Sequence, residues 1–523
     1  MDLSIDDLPD DIALLKQMLI DSNRLLHAEM AKKDRLIEQL QRQVEQLLRR
    51  QYGRQSERVD PNQLELALQE ALDEGLLPRD EQPAEPPEPP GAEDENPSRR
   101  RGHGRRRLPV SLLRQRVEYD VAPEDLPCPE CETPRRRISQ RVSEQLEFVP
   151  ASLIVREHVE LIYSCKACEE HVISGKKPPQ PIDKGLAGPA LLAQVVTSRF
   201  ADHLPFYRQQ QIFSRHGVDL DRSTLCDWTR ACADLLEPIV RHMAEEVVKG
   251  SKVHTDDTPV AVLDKSLGKT RRGRLWTYIG GEEHEHIVFD YTPTRGRDGP
   301  MQFLRGFEGY LQADAYAGYN RIYAEQQVQE VACWAHARRK FFEASQHLSG
   351  DPFTAMAFVS QLYDIERRAK DLRVEERQAY RCQHARPVLD AFKTWLDGRA
   401  VVVRPKSQLG AAIGYVQRQW DALVRYTEQG YLEIDNNRAE RALRSVAIGR
   451  KNWMFLGNDD SGQRTAVLYS LVVSCKNLGI DPFVYLRDVL ERLPTHPPEQ
   501  IADLTPKAWL DAQQADASST VAA

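Results

Sequence analysis

Hydrophobic residues recur at heptad spacing close to the start of the chain. Leucine occupies the d positions, with Met, Ile and Val at the a positions, a combination that favours a parallel two-stranded coiled coil. Asn23 at a and Lys33 at d would interrupt the apolar seam and fix its register. We therefore predict a coiled coil within residues 1–58 and a homodimer or larger assembly, with a single amphipathic helix packed on its own chain as the alternative. The heptad positions are Leu19, Leu26, Met30, Ile37, Leu40, Val44 and Leu47.

Helical patterning returns in residues 181–248, in three segments. The second segment ends at Gly217, a residue type common just after a helix, and the third begins at Asp221 or Ser223, which are good N-caps. The short turn between them fits a helix-turn-helix, and a plain helical bundle fits the pattern equally well. The side chains that a helix-turn-helix would present to a major groove are Arg222, Ser223 and Thr224.

From residue 252 the pattern changes to strands. Three strand-like segments follow one another with Gly-rich turns, and then come a short helix, two more strands at 309–318 and 328–336, and a helix. This order predicts an α/β domain over residues 249–480. Residues from about 350 to about 430 are helical and strand-poor, so we expect a helical insertion there, and residues 481–523 form a C-terminal segment.

Composition and charge narrow the class of protein. The 523 residues are 41% hydrophobic and 29% charged, which suits a soluble protein of several domains. No apolar run reaches the ~18 residues of a membrane span and the acidic N-terminus lacks a secretion signal, so a cytoplasmic location is expected. The net charge of −8 argues against nucleic acid, but the charge is segregated. Within the linker 59–107, an acidic Pro-rich stretch precedes RRRGHGRRR, a block that would contact phosphates or form a solvated tail, and its last three arginines are Arg105, Arg106 and Arg107.

Two Cys-x-x-Cys pairs, CPEC and CKAC, lie in residues 108–180. Two such knuckles can present four thiolates to one Zn²⁺ in a tetrahedral arrangement, and a site filled by four protein ligands is structural. The stretches EQLEFV and HVELIY between the pairs suit short strands of a ribbon. A redox pair and unconnected core cysteines are the alternatives. The predicted zinc ligands are Cys128, Cys131, Cys165 and Cys168.

Three acids far apart in the chain are candidates for chemistry. Asp256 in VHTDDTPV and Asp314 in YLQADAYAGY stand at predicted strand positions, where Asp is disfavoured unless it has a partner such as a divalent cation. Glu440 follows a predicted helix start near residue 437 in EIDNNRAERALR, with the two asparagines expected behind it on one face and Arg444 one turn on. If they meet in space, the three acids could bind two Mg²⁺ ions ~4 Å apart and serve phosphodiester chemistry. The competing acids are Asp257, Asp290, Glu433 and Asp435.

Together these motifs resemble a known family, the DDE transposases of bacterial insertion sequences, specifically the insertion-sequence sixty-six family. The resemblance spans nearly the whole chain in the expected order. One departure is Asp257, because the family usually has Asp-Glu-Thr where this chain has Asp-Asp-Thr. The stretches that carry the resemblance are YGRQSERVD, CPEC with CKAC, DHLPFYRQQQIFSRHGVDLDRSTLCDW, HTDDTPV, LQADAYAGYN, CWAHARRKFFEA, IDNNRAERALRSVAIGRKNWMF, and YLRDVLERLPTH with LTPKAWLD.

The resemblance implies a ribonuclease-H-like catalytic core whose Asp–Asp–Glu triad falls on Asp256, Asp314 and Glu440. It implies two Mg²⁺ per site, with Mn²⁺ as a substitute, as well as the coiled-coil, zinc-binding and helix-turn-helix segments. Small accessory transposition proteins are often encoded alongside. Further candidates for DNA contacts are His336, Arg339, Arg444, Arg450 and Lys451, for which a basic helix surface is the plain alternative.

The sequence therefore predicts a multidomain α/β transposase, cytoplasmic and nucleoid-associated. It would bind terminal inverted repeats and target DNA, cleave strands by metal-dependent hydrolysis, and join the freed ends to the target. A transposase-derived DNA-binding regulator without catalysis and a stand-alone nuclease of the same fold are the alternatives.

Overall fold

A computed structural model describes most of the chain after residue 177. The predicted coiled coil, apart from isolated positions, lies outside the described residues, as do the Arg105–Arg107 block and the four predicted zinc ligands. Described are 61–78, 153–158, 162–163, 173–174, 178–183, 185–264, 266, 268–345 and 350–521, with isolated positions at 11, 16, 17, 21, 30 and 33.

The chain divides into two compact units. The helical unit comprises Met1–Pro78 and Trp334–Tyr431, and the sheet unit comprises Arg79–Cys333 and Leu432–Ala523. The strands of the main sheet are β1 (Lys252–Asp264), β2 (Lys269–Gly280), β3 (Ile287–Thr292), β4 (Gly309–Gln312) and β5 (Val328–Val331). The helices are α1 (Pro61–Asp73), α2 (Pro189–Phe200), α3 (Phe206–Arg215), α4 (Arg222–Lys249), α5 (Asp298–Phe303), α6 (Asn320–Glu325), α7 (Trp334–Ser345), α8 (Asp351–Ala369), α9 (Val374–Val402), α10 (Gln408–Arg418), α11 (Trp420–Val424), α12 (Asn437–Trp453), α13 (Asp459–Asn477), α14 (Pro482–Arg492) and α15 (Pro506–Val521). Short 3₁₀ turns cover Glu282–His284, Ala317–Tyr319, Arg425–Thr427, Leu493–Thr495 and Pro498–Leu504.

The sheet unit is built on a five-stranded mixed sheet with the order β3-β2-β1-β4-β5. The first three strands form an antiparallel meander, whereas β4 pairs parallel with β1, and β5 pairs parallel with β4. Only the first residues of β1, Lys252 to His254, pair with β4, so the outer half of β1 extends past its parallel neighbour. A separate two-residue antiparallel ladder joins Ile162–Tyr163, inside the predicted strand HVELIY, to Ile173–Ser174.

Helices cover the sheet and protect its edge. Helix α13 packs against β3, and the Ser470 and Ser474 hydroxyls accept hydrogen bonds from the backbone N–H groups of Phe289 and Ile287 at 2.8 and 3.2 Å. These serines satisfy donors that an edge strand would otherwise offer to another chain. Helix α12 packs on β1, and α4 packs on α13. Two consecutive helices, α12 and α13, are therefore packed against the sheet.

The helical unit has its own core of aromatic side chains. Phe392 on α9 stacks on Phe358 of α8 with ring centroids 4.7 Å apart, and Trp334 at the start of α7 lies 6.0 Å from the Phe392 ring. Arg381 is 1% exposed and pairs with Glu366 while also donating to the Tyr426 carbonyl at 2.9 Å. A buried guanidinium needs such a partner set, since an unpaired buried charge is costly.

The structure confirms several predicted elements and corrects others. Helix α12 begins at Asn437 as predicted, and Gly217 has the positive φ of +78° expected of a residue that ends a helix. The predicted strand 328–336 is wrong at its end, because β5 stops at Val331 and Trp334 opens α7, where its indole donates to the Leu423 carbonyl at 2.8 Å. The short helix α6 was not predicted. Among the described helices, none combines the length and apolar character needed to cross a membrane.

Candidate active site

The candidate site forms where β1 and β4 run side by side. In the parallel ladder His254 pairs with Gln312, so Asp256 and Asp314 each lie two residues farther along the neighbouring chains. Neighbouring strands are about 4.8 Å apart, so Asp256 and Asp314 follow the paired residues on adjacent chain segments, and the charge of Asp314 raises the pKa of Asp256. Both are half-buried. Asp314 lies just beyond β4 and not inside a strand, which corrects the predicted strand at 309–318.

The third acid, Glu440, comes from the first turn of α12, and that turn is tied to β1. Asn436, fully buried, donates from Nδ2 to the Thr255 carbonyl at 2.8 Å, and its Oδ1 lies 3.1 Å from His254 Nδ1. Its backbone N–H also donates to the Cys333 thiol at 3.2 Å. Because His254 and Thr255 directly precede Asp256, a single asparagine fixes the helix start relative to the first acid.

A glutamine ties the same loop to the second strand. Gln312, also fully buried, donates from Nε2 to the carbonyls of Asp435 (3.0 Å) and Glu433, and its Oε1 accepts from the Glu433 N–H at 3.4 Å. Gln312 stands two residues before Asp314. The segment that leads into α12 is therefore held by both strands that lead to the other two acids.

Asn436 does not lie behind Glu440 as the sequence suggested. Asn436 faces the sheet, and Asn437 is bonded to Asp435, whose Oδ1 accepts the Asn437 backbone N–H at 3.0 Å and whose Oδ2 accepts its side-chain amide at 2.6 Å. The helix-period argument failed here because Asn436 is the residue before the helix, with φ −101° and ψ 23°, and so does not follow the helical repeat.

The charges of the three acids act on one another. The pKa of Asp256 is raised to about 7, first by burial and then by the negative charge of Asp314, with further contributions from the charges of Asp257 and Glu440. The backbone N–H of Asp257 opposes the shift by donating to Asp256 Oδ1 at 2.7 Å. Asp256 thus carries the signature of a carboxyl group crowded by other carboxyl groups in a place with little water.

The competing acids have other partners or other surroundings. Asp257 is held by two guanidinium groups, with Arg274 Nη1 and Arg295 Nη2 each 2.8 Å from its oxygens. Asp290 sits on β3 two strands away from β1, where burial raises its pKa to about 6. Asp435 caps Asn437 as described. Within the part of the chain that the structure describes, Asp257 of the DDT stretch is thus ion-paired with arginines, whereas Asp256 is not.

Arg295 is a site residue that sequence reasoning missed. It follows β3, and its Nη2 lies 3.7 Å from Asp314 Oδ2 as well as bonding Asp257. Its guanidinium lies over the Tyr316 ring, 4.2 Å from the centroid, and the Tyr316 hydroxyl donates to the Arg295 carbonyl. The positively charged guanidinium of Arg295 therefore contacts both Asp257 and Asp314. No sequence motif indicates that Arg295 belongs to the site, because its contacts depend on a turn after β3 that brings it to residues of other strands.

A second group of charges was also missed, at the inner end of β1. Glu433 lies 3.5 Å from His254 Nε2 and 3.7 Å from Lys252 Nζ, both of which are buried, and 3.9 Å from Arg438. Burial alone would raise the pKa of Glu433, but His254, Lys252 and Arg438 lower it to about 2. Glu433, a competitor for the metal role by sequence, is thus committed to an ionic cluster that stabilises the loop before α12.

The acids fit a hard divalent cation by their chemistry. Mg²⁺ prefers carboxylate oxygens, and Asp256, Asp314 and Glu440 would supply them. Over residues 185–264, 268–345 and 350–521, the bulk of what the structure describes, no three acidic, His or Cys side chains are already gathered at metal-binding distance. Burial and the neighbouring carboxylates both raise the pKa of Asp256, and a bound cation would offset the repulsion between these carboxylates.

The raised pKa predicts how cation binding depends on pH. Asp256 binds a cation as carboxylate, but below its pKa of about 7 the cation must displace a proton. We expect Mn²⁺ affinity to fall about tenfold per pH unit below that pKa and to level off above it. Calorimetric titration from about pH 5 to about pH 9 would measure this, and an affinity that does not change with pH would contradict the assignment.

The same shift has an effect on stability with a defined sign. A carboxyl group whose pKa is higher in the folded than in the unfolded protein destabilises the fold progressively as pH rises between the two values. Asp256→Asn should therefore raise the Tm of the metal-free protein more at about pH 9 than at about pH 5. The matched control is Asp460→Asn, which changes an exposed acid on α13. Its effect on Tm should be small and the same at both pH values.

The other predicted site residues lie in different surroundings. Arg444 and Lys451 are exposed on α12, whereas Arg450 donates from Nη1 to Thr258 Oγ1 and the Pro259 carbonyl, which anchors α12 on β1. Arg222 and Ser223 are exposed and Thr224 half-buried in the first turn of α4, where Asp221 precedes the helix without a side-chain cap. His336 and Arg339 are half-buried on α7 in the helical unit.

Comparison with known protein families matches four parts of the chain. Residues 184–464 match the family described as "Transposase IS66 family", and 470–507 match its C-terminal element. Residues 125–169 match the "zinc-finger binding domain of transposase IS66", and residues 39–117 match "Transposase C of IS166 homeodomain". The chain belongs to the IS66 transposase family.

Relatives along almost the full length come from Sinorhizobium fredii (strain NBRC 101917 / NGR234). Uncharacterized protein y4jD is 32% identical over 519 residues, which cover 94% of this chain and 95% of that protein. Uncharacterized protein y4hP is 30% identical over 502 residues, covering 91% and 89%. Uncharacterized protein y4qI is 30% identical over 536 residues, covering 94% and 96%.

Proposed function

We propose that this chain cuts DNA at the ends of an insertion sequence and joins those ends to target DNA, with Asp256, Asp314 and Glu440 as its catalytic acids. Membership of a transposase family gives the class of reaction. The observation that supports the assignment to these residues is the pairing of His254 with Gln312 together with the tether through Asn436, because these contacts tie together the three distant chain segments that carry the acids.

We infer a ribonuclease-H-like core for the sheet unit. Three antiparallel strands followed by two parallel ones in the order 3-2-1-4-5, with an acid on the central strand, an acid after its parallel neighbour, and an acid on a later helix, support this inference. In such a core, the helical stretch from about 350 to about 430 is an insertion between the second and third acids. This is the helical insertion that we expect from the sequence within residues 249–480.

The acids would hold two Mg²⁺ ions. Bound Mg²⁺ would supply activation of an attacking water or 3′-hydroxyl and stabilisation of the leaving oxygen. The protein itself would contribute in two ways. Asn436 and Gln312 would orient the segments that carry the acids, and burial of Asp256 would limit the access of water to the site. Arg295, which contacts Asp257 and Asp314, would also be available to contact a phosphate oxygen of bound DNA.

Recognition of the ends would come from several parts of the chain. We propose that Cys128, Cys131, Cys165 and Cys168 hold a structural Zn²⁺, that the Arg105–Arg107 block contacts phosphates, and that the first turn of α4 reads a groove. Exposure of Arg222 and Ser223 is compatible with that role. A homodimer or larger assembly through residues 1–58 would pair the two ends, with small accessory proteins as further partners, in the cytoplasm at the nucleoid.

A nicking and joining assay tests the proposal and separates it from its rivals. Full-length protein is incubated with Mg²⁺, a duplex that carries the terminal repeat flanking its gene, and a plasmid target. A transposase nicks at the repeat boundary and joins the 3′ end to the plasmid. Nicks without joining would indicate a nuclease, and binding without nicks a DNA-binding regulator.

A further inference from the structure

Two large apolar side chains stand exposed directly after α12. Met454 is 70% exposed and Phe455 43% exposed, and they follow the helix that carries Glu440. Isolated apolar residues on a surface are ordinary, but adjacent ones of this size at the end of a basic helix are not explained by the core. The neighbouring Leu456 is buried, so the segment is not simply a frayed end.

The backbone holds these two side chains out under strain. Met454 has φ 60° and ψ −51°, and the Phe455 N–H donates to the Trp453 carbonyl at 2.7 Å, which together define a γ-turn of the rare, strained type. A non-glycine residue persists in such a conformation only where its surroundings impose it, and such positions concentrate at functional sites. The turn redirects the chain so that Met454 and Phe455 point away from the helix end.

The strained turn is anchored on β1. Leu456 donates from its backbone N–H to the Ala261 carbonyl and accepts from the Leu263 N–H, both at 2.8 Å, so it runs beside the outer half of β1 as a short parallel extension of the sheet. Arg450 fixes the last turn of α12 to Thr258 and Pro259 on the same strand. Phe455 is therefore presented by a rigid support.

The surface that leads to this tip is basic. Arg441, Arg444, Ile448 and Lys451 are exposed at spacings of three, four and three, so they form one stripe along α12, and three of the four are positively charged. The next acid along the chain, Asp459, is already paired with Arg271 and the Tyr291 hydroxyl. A second copy of the chain presenting the same stripe would be repelled, whereas a nucleic acid backbone is complementary to it.

We propose that Met454 and Phe455 form an apolar wedge that enters a base step of the bound end DNA, while the α12 stripe holds the adjacent phosphates. Proteins that deform duplexes insert such side chains between base pairs next to basic residues. The proposal rests on the proposed function and adds a second contact to the same site. Ala261, beside Leu456, is five residues from Asp256, so a duplex lying along β1 would meet the wedge about 17 Å from the cleaved phosphate, or roughly five base steps.

Permanganate reactivity of thymines tests the wedge without requiring cleavage. Full-length protein with its Zn²⁺ retained is bound to the terminal-repeat duplex without Mg²⁺ and without a chelator, with thymines placed at successive steps. Wild type should make one thymine step hyperreactive, about five steps from the boundary. Phe455→Ala and the double change M454A/F455A should abolish this signal, Phe455→Leu should retain part of it, and Leu186→Ala, an exposed apolar residue elsewhere in the sheet unit, should leave it unchanged.

A second measurement links the wedge to the reaction. Phe455→Ala should slow nicking of the paired duplex about tenfold, and a substrate with a mismatch at the hyperreactive step should restore the rate. Binding of wild type without any hyperreactive thymine would overturn the wedge while leaving the proposed function intact, and failure to bind the repeat would overturn both. A change of oligomeric state in M454A/F455A, with the permanganate pattern unaltered, would assign the tip to a protein interface and also overturn the proposal.

Discussion

Glu440→Gln is expected to abolish Mg²⁺-dependent nicking of the terminal-repeat duplex, by at least about a thousandfold, while DNA binding stays within a factor of about two. The change removes one negative oxygen donor without altering the size of the side chain. Asp256→Asn and Asp314→Asn should behave in the same way, because each acid would supply ligands that the other two cannot replace. Nicking rates and filter-binding affinities, measured side by side, give both quantities.

Controls for these changes come from acids on the same unit that have no place in the site. Asp460→Asn and Glu283→Gln remove exposed carboxylates from α13 and the 3₁₀ turn after β2 and should leave nicking unchanged. If nicking survives the loss of any one of the three acids, that residue is not part of the triad. If nicking is also lost in the two control variants, the loss is caused by removal of negative charge in general and not by a change in the site.

Asn436→Ala is expected to have the second largest effect, on both stability and activity. It removes the amide that joins the start of α12 to β1 and leaves the Thr255 carbonyl and His254 Nδ1 buried without that partner. We expect a loss of about 2 kcal/mol in the free energy of unfolding. Since a displacement of ~1 Å at a catalytic group can cost about a hundredfold, we expect nicking at saturating Mg²⁺ to fall by about that factor.

The matched control is Asn452→Ala, which removes an asparagine near the other end of α12 whose amide makes a long bond of 3.4 Å to its own helix. This change should leave both the free energy of unfolding and the nicking rate close to their wild-type values. Gln312→Ala should resemble Asn436→Ala, because it releases the same loop from β4. Asn436→Ala protein that is less stable yet nicks at the wild-type rate where it is folded would show that Asn436 supports the fold and does not position Glu440.

The sequence predicted the elements of the site better than their contacts. Periodicity found β1 and the start of α12, and the unusual position of Asp256 in an apolar strand singled out that acid. What brings Asp256 and Asp314 together is the pairing of His254 with Gln312, and a parallel ladder between segments sixty residues apart leaves no local pattern. The resemblance to a transposase family, and not spacing, led to the choice of these acids among many.

Side-chain roles were harder to predict than positions, for a physical reason. Asn436, just before α12, and Arg450, on α12, look like ligand-binding residues by type, yet both bond to β1 and hold the helix in place. Arg295 reaches Asp257 and Asp314 only because a turn after β3 folds across the sheet. Such contacts depend on tertiary packing, which the order of residues along one segment does not record.

The central claim is that Asp256, Asp314 and Glu440 share a cation. The most direct test is to crystallise the full-length protein with Mn²⁺ and locate the ion by its anomalous scattering. We predict Mn²⁺ bonded to oxygens of Asp256 and Asp314 with Glu440 completing the same site, and no ion there in Asp256→Asn protein. An ion held by other acids, or three carboxylates that stay apart when Mn²⁺ is bound elsewhere, would contradict the account.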